Sequence, residues 1–181
     1  VVTDSRRRMW GSASFTAQRR DFGNWMRTLG GELSLKPWSA LTLAAAPTFL
    51  RVHNVAQYLA TVPDATATAT YGSRYVFGGL DQSELSIPLR VNLVLSPKLS
   101  LQLYTQALLS TGDYPTIKEL AEPRTYDFPV YGVDVGTVGL VPGGSAYVID
   151  PDGAGAASSF RLPVPDFNVK ALRANAVLRW E

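Results

Sequence analysis

The chain has 181 residues, of which 46% are hydrophobic, with a mean hydropathy of +0.02 and a formal net charge of +2. No apolar run approaches the roughly eighteen residues of a membrane-spanning helix, and the near balance of 17 basic and 15 acidic side chains argues against a nucleic-acid partner. Cysteine is absent and histidine occurs once, which excludes disulfide frameworks, thiol nucleophiles and zinc sites built from Cys and His. We therefore expect no metal centre and no cofactor.

The first part of the chain contains three segments in which apolar and polar residues alternate with a period of two, which is typical of a β-strand. They cover about residues 9–18, 25–36 and 40–52. A polar link at 19–24 separates the first two segments. Residues 37–39 begin with proline and predict a tight turn before the third segment.

The fourth and fifth segments form a long predicted hairpin from Glu84 to Leu109 that turns at residues 96–98. Strands in soluble proteins usually have about five or six residues, whereas a tilted strand that crosses a bilayer needs about nine to eleven. Each of these segments has about a dozen, which is typical of a wall between lipid and a polar interior. The aliphatic face of the fourth segment consists of Leu85, Ile87, Leu89, Val91, Leu93 and Leu95.

A sixth segment covers about residues 167–180, and the links between segments alternate between short and long. Turns 36–39 and 96–98 are short, whereas links 53–82 and 112–166 are long. Outer-membrane barrels show this segregation, with short periplasmic turns and longer extracellular loops. The sequence therefore predicts one all-β domain over residues 1–181. We expect an antiparallel up-and-down meander of about six long strands, part of a transmembrane outer-membrane β-barrel, with 53–82 and 112–166 as long extracellular loops.

Several polar side chains in the middle of these segments have the parity opposite to the leucines. A basic residue on the lipid face at mid-depth would cost about 2–4 kcal/mol, so this parity predicts that they point into a lumen. Pro88 shares the parity and predicts a bulge or a lost hydrogen bond. The predicted lumen-facing residues are Glu32, Glu84, Arg90, Asn92, Arg173 and Arg179.

Aromatic residues concentrate at segment ends and in the long link 112–166. The tryptophans lie near segment ends, where an aromatic girdle would place them. The link could fold into the lumen as a plug or form an external surface that stacks sugar rings, or its aromatics could pack it onto the barrel mouth. The candidate ligand contacts are Tyr114, Tyr126 and Tyr131; the four tryptophans are Trp10, Trp25, Trp38 and Trp180.

Four segments resemble a bacterial envelope family. The family is the domain of unknown function 5916, found behind a carbohydrate-binding module of the family 9 type. The resemblance covers about Trp25 to Glu181 and implies a C-terminal, outer-membrane barrel-like domain, with no catalytic residue to carry over. The matching segments are 36–41, 71–77, 100–104 and 166–181.

These observations predict a pore, an anchor or a surface-binding scaffold in the outer membrane of a Gram-negative-type bacterium, within a carbohydrate-related envelope protein. The expected partners are outer-membrane lipid, carbohydrate, and further strands from a longer chain or another subunit, because the smallest closed barrels have about eight strands. The chain begins without Met or a signal peptide, so we expect a piece of a longer protein.

The alternative hypothesis is a soluble β-sandwich that binds glycan, or part of a glycoside hydrolase. A second sheet would then cover the leucine face. We expect no enzymatic activity, because the chain has no Gly-x-Ser-x-Gly elbow and its loop carboxylates form no recognisable catalytic pair. The loop carboxylates are Glu119, Glu122, Asp127 and Asp134.

Overall fold

The computed structural model describes residues 8–181 and is all-β, with antiparallel sheets, as predicted. Within these residues the only helical elements are two 3₁₀ turns, Asp21–Gly23 and Thr68–Thr70, and no helix is long and apolar enough to span a membrane. The strands are β1 (Met9–Arg19), β2 (Trp25–Trp38), β3 (Leu41–Ala45), β4 (Thr48–Pro63), β5 (Ser73–Ser96), β6 (Leu99–Glu119), β7 (Thr137–Leu140), β8 (Ala146–Asp150), β9 (Phe160–Pro163) and β10 (Phe167–Trp180).

A large main sheet contains all six predicted segments as a meander. Its order is β1, β2, the pair β3 and β4, β5, β6 and β10. Strands β3 and β4 share the third position, since both pair with β2 and with β5. Turns at residues 39–40 and 97–98 define the near end of the sheet, and the longer links lie at the opposite, far end.

Three strands run further toward the far end than the alternation predicts. The link expected over 53–82 is much shorter, because β4 continues to Pro63 and β5 starts at Ser73. The link expected from 112 also begins later, since β6 continues to Glu119. Register shifts in β4 and between β5 and β6 interrupt the alternation of apolar and polar residues here. The sequence pattern therefore predicted a loop. We call the added ladder, residues 54–63, 73–80 and 113–119, the far-end extension.

Two prolines lie at a break in the third position of the main sheet: Pro47 between β3 and β4, and Pro88 in the neighbouring strand β5. The Ala46 amide donates to the Pro88 carbonyl at 3.1 Å, and the Gly31 amide donates to the Pro47 carbonyl at 3.0 Å. Because proline has no N–H, neither pair can exchange the reciprocal bond of an antiparallel ladder. One missing donor on each side divides the third position into β3 and β4. The lost hydrogen bond predicted at Pro88 therefore occurs at this break.

The predicted loop 112–166 contains a sheet of its own. Short strands β7, β8 and β9 form a three-stranded antiparallel sheet, which we call the cap sheet. It packs on the far-end extension, and the buried core lies between them. Within β5, Val76 has the same parity as Glu84 and Arg90, so the cap sheet lies on the polar side of the main sheet. The buried core residues are Val76, Ile117, Tyr131, Ile149 and Leu162.

Gly136 fixes the entry into the cap sheet. Its φ is +51°, and a Cβ at this position would collide with the backbone of Asp150 and Pro151. We expect Gly136→Ala to destabilise the cap sheet by about 2–3 kcal/mol, since backbone can yield less than a side chain. Gly139→Ala is the matched control, because its Cβ would meet nothing within 4 Å. Amide hydrogen exchange in β8 measures the difference, and equal protection in the two variants would contradict the expectation.

Candidate functional site

The cross-strand register gives the main sheet one aliphatic face. A row across the sheet joins Leu33, Ala45, Leu89 and Thr105, and neighbouring rows repeat this character. At about 3.3 Å per residue, the apolar run from Leu85 to Leu95 is about 33 Å long. At the strand tilt of about 40° that is typical of barrels, this run would span a height of about 25 Å, similar to the apolar band of outer-membrane barrels.

No second layer covers the aliphatic face within the part of the chain that the structure describes. Phe15 is 66% exposed, Leu29 is 55% exposed and Leu172 is 75% exposed. The cap sheet packs on the opposite side of the main sheet and only at the far end. An exposed apolar surface of this extent marks an interaction surface for a protein or a membrane.

Amphipathic side chains border the aliphatic face at both ends. At the far end, His53 stacks on Trp25 with ring centroids 5.9 Å apart, and the Arg27 guanidinium lies 4.9 Å from the Trp25 ring centroid. At the near end, Trp38 and Trp180 are 56% and 83% exposed. Their cross-strand partners, Leu41 and Leu99, place both on the aliphatic side. Aromatic residues in this position are typical of a membrane interface.

One of the four predicted girdle tryptophans lies elsewhere. Trp10 pairs with Ser34, which belongs to the polar face. Trp10 therefore cannot share a girdle with Trp25 and Trp38. The face on which Trp10 lies depends on its odd or even position in the strand, and its closeness to a segment end does not indicate that face.

The opposite, polar face carries all six predicted lumen-facing residues. Arg90 lies in the same row as Ala44 and Tyr104, and its guanidinium is 5.6 Å from the Tyr104 ring centroid. Along the next row, the register aligns Pro88, Gln106 and Arg173. The register thus places on this one face Glu32, Glu84, Arg90, Asn92, Arg173 and Arg179.

The polar face contains a short chain of side-chain hydrogen bonds and one separate bond. The Tyr104 hydroxyl donates to Gln106 Oε1 at 3.1 Å, and Gln106 Nε2 donates to Ser86 Oγ at 2.9 Å. Further toward the far end, Gln82 Nε2 donates to Ser110 Oγ at 3.2 Å. These bonds hold neutral polar groups in fixed positions across β5 and β6.

A shallow depression opens on the polar face beside the proline break. Its volume is about 190 Å³, and Glu32, Arg90 and Pro88 line it together with the alanines of the third position. The opposite charges of Glu32 and Arg90 are both exposed, and no ion pair joins them in the described residues. Arg179 differs, because Glu181 pairs with it at 2.5 Å at the near end.

The three candidate tyrosines do not form one binding surface. Tyr126 stacks on Phe22 with ring centroids 3.8 Å apart. Tyr114 is half-buried on the far-end extension, where burial and Asp166 raise the pKa of its hydroxyl. Tyr131 is 2% exposed and belongs to the core beneath the cap sheet, so it has no surface to offer a ligand.

A largely buried ionic network, which the sequence analysis missed, ties the cap sheet region to the far-end extension. Arg74 Nε donates to Asp64 Oδ2 at 2.6 Å, and Arg74 Nη1 donates to Glu119 Oε2 at 2.8 Å. The Tyr131 hydroxyl donates to the same Glu119 oxygen at 2.7 Å. The side chains of the three ionic residues are only 11–13% exposed. No sequence motif could reveal this network, since its members are far apart along the chain.

The network shifts the proton affinities of its members. The hydrogen bond from Arg74, with further bonds from Thr66, lowers the pKa of Asp64 to about 2. Burial alone would lower the pKa of Arg74, but its bonds to Asp64 and Glu119 raise it above the ordinary value. Burial and the bond to Glu119 raise the pKa of Tyr131. At neutral pH the arginine therefore stays charged and the tyrosine keeps its proton.

Two of the four loop carboxylates make structural contacts within the protein. Glu119 belongs to the ionic network, and Asp134 Oδ2 accepts the Val130 amide at 2.8 Å. The described residues contain no group of three or more His, Cys, Asp or Glu side chains arranged to hold a metal ion.

No family model, no curated protein and no solved structure matches this chain. The resemblance to the domain 5916 family therefore stays a prediction from the sequence.

Proposed function

We propose that this chain forms part of the wall of an outer-membrane β-barrel and lines a polar passage through it. The observation that carries the proposal is the aliphatic face, which has about the height of a bilayer's apolar band and no covering layer in the described residues. Amphipathic aromatic residues at both borders support the same reading. The polar face, with its charges at mid-height, would then face water.

The polar face would select what passes. Glu32 and Arg90 on either side of the depression, and Arg173 one row away, present both signs of charge along a narrow surface. Such a lining favours small polar solutes with groups of both signs. The cap sheet, which lies on the polar side at the far end, would stand over the mouth and restrict entry.

The proposal requires further strands. In the described part of the chain β10 pairs only with β6, so its outer edge is open, and the six strand positions fall short of the roughly eight in the smallest closed barrel. A longer chain or a second subunit would supply them. Localisation in the outer membrane and the association with a carbohydrate-binding envelope protein are parts of this proposal, the second resting on the family resemblance alone.

Single cysteines test the wall directly, because the chain contains none of its own. The test uses five single-cysteine variants. Three replace Ile87, Leu89 or Val91 on the aliphatic face, and two replace Ser86 or Asn92 on the polar face. In lipid vesicles a water-soluble maleimide is expected to label the polar-face cysteines at least ten times faster, since lipid excludes the reagent from the aliphatic face. In urea all five should react alike.

Two outcomes oppose the proposal. Equal labelling of the two faces in vesicles contradicts a membrane wall. A monomer that stays folded without detergent would favour the alternative, a soluble glycan-binding module. The observation behind that second candidate is the exposed stack of Phe22 on Tyr126 at the far end, which offers aromatic faces to a sugar ring.

A further inference from the structure

Three arginines gather at the far-end border of the aliphatic face. Arg27 and Arg51 are direct cross-strand partners on β2 and β4. Arg19 on β1 pairs with Trp25, two residues before Arg27, and all four side chains lie on the aliphatic side of the sheet. We call Arg19, Arg27 and Arg51, with Trp25 between them, the arginine patch.

The arginine patch lacks acidic partners. Like charges directly opposite each other destabilise an antiparallel pair, and none of the three arginines forms an ion pair within residues 8–181. The register places Asp81 in the same row as Trp25 and His53, and this acid already has a partner, since its Oδ1 lies 2.7 Å from His53 Nδ1. Asp113 pairs with Asp81 one strand further away. The β1–β4 side of the border is therefore positive and exposed.

Apolar surface continues directly below the patch. The next row toward the near end contains Phe15, Leu29 and Phe49, which are 66%, 55% and 40% exposed. The side chains of the following row protrude little from the sheet, because this row contains Ala13 and Gly31. Further down, an apolar hollow of about 240 Å³ opens between β2, β3 and β5. The arginine patch is thus followed, toward the near end, by an uneven apolar surface against which flexible hydrocarbon chains can pack.

We propose that the arginine patch binds the phosphate group of an anionic membrane lipid, whose acyl chains lie on the aliphatic face below. This inference rests on the proposed barrel function, since it needs the aliphatic face to meet lipid. Arginine is suited to the role because its planar guanidinium forms two parallel hydrogen bonds with a phosphate. Trp25 would sit at the headgroup level beside the phosphate.

The test compares two lipids and two double variants of the full chain. Binding of a fluorescent phosphatidylglycerol and of the matching phosphatidylcholine is measured by anisotropy on detergent-solubilised protein. Wild type is expected to prefer phosphatidylglycerol, and Arg27→Gln/Arg51→Gln is expected to lose about ten- to thirty-fold in affinity for it, given the contribution of each basic residue near an anionic surface. Arg124→Gln/Arg161→Gln is the matched control, because it removes the same charge from exposed positions outside the patch and should bind as wild type does.

The outcomes separate this inference from the proposed function. Equal affinity of wild type for the two lipids, or an equal loss in both double variants, overturns the lipid site while the cysteine labelling can still support the barrel. Failure of the wild-type protein to insert into vesicles of either lipid overturns both. Heat-dependent migration on a gel checks that each variant keeps the wild-type fold.

Discussion

Arg74→Met is expected to destabilise the region beneath the cap sheet by about 3–5 kcal/mol, because it leaves two nearly buried carboxylates without their cation. Arg74 joins Asp64 in the β4–β5 link to Glu119 at the end of β6, and Glu119 holds the Tyr131 hydroxyl. Methionine keeps the volume of the arginine stem but cannot donate a hydrogen bond. The loss should therefore loosen segment 120–166 and leave the main sheet intact.

Amide hydrogen exchange and limited proteolysis of segment 120–166 measure this effect. Arg161→Met is the control, since Arg161 lies on β9 of the cap sheet but is exposed. Equal protection of the segment in the two variants would refute a structural role for the network.

The pH dependence of the wild type provides a check without mutation. The folded state lowers the pKa of Asp64 from 3.8 to about 2, so the unfolded state takes up its proton first as the pH falls. The stabilisation from this carboxylate is complete above the unfolded value and disappears between pH 3.8 and about 2. In Arg74→Met the dependence of protection on pH in this range should be much smaller, because without the hydrogen bond from Arg74 the folded and unfolded states bind the Asp64 proton with more similar affinity.

Under the proposed membrane location, Leu89→Arg is expected to destabilise the protein in lipid by about 2–4 kcal/mol, because it places a charge at the middle of the aliphatic face. The same substitution at Leu95, near the border of the band, should change stability by no more than about 1 kcal/mol. Asn92→Arg, on the polar face, is the matched control and should have little effect, since its side chain would meet water.

Urea unfolding in lipid vesicles, followed by tryptophan fluorescence, measures the three variants. The dependence on depth is the informative quantity. A leucine face buried against another protein layer would also reject arginine at Leu89, but its losses would follow local packing, not height in a bilayer. Equal losses at Leu89 and Leu95 would therefore argue against lipid as the covering medium.

The alternation of apolar and polar side chains predicted the main sheet, because the face on which a strand residue lies depends only on its odd or even position along the strand. The six segments of the sequence recur as strands, and the register places the six predicted lumen-facing residues on the face opposite the leucines, as the period of two requires. The far-end extension was missed for a physical reason. Extra residues in β4 and β6 shift the parity, and the added ladder is apolar where the cap sheet covers it, so the polar alternation ends.

The ionic network and the cap sheet lay outside sequence reasoning for a different reason. Arg74 and Glu119 are 45 residues apart and meet only because β5 and β6 extend side by side. The cap strands have four or five residues each, too few for a period to be visible. Tyr131 looked like a ligand contact because aromatic content alone cannot separate a buried ring from an exposed one.

The proline break has a consequence for assembly. In the native register the donor missing at Pro88 faces Ala46 and the donor missing at Pro47 faces Gly31, so both defects fall at adjacent residues of one strand position. A slip of two residues would keep the same side chains on the aliphatic face, so the alternation of apolar and polar residues does not disfavour it. Such a slip would, however, separate the missing donors of Pro47 and Pro88 along the strand and so interrupt the hydrogen-bond ladder at two places. The two prolines thus favour the native register over slipped registers that have the same pattern of apolar and polar residues.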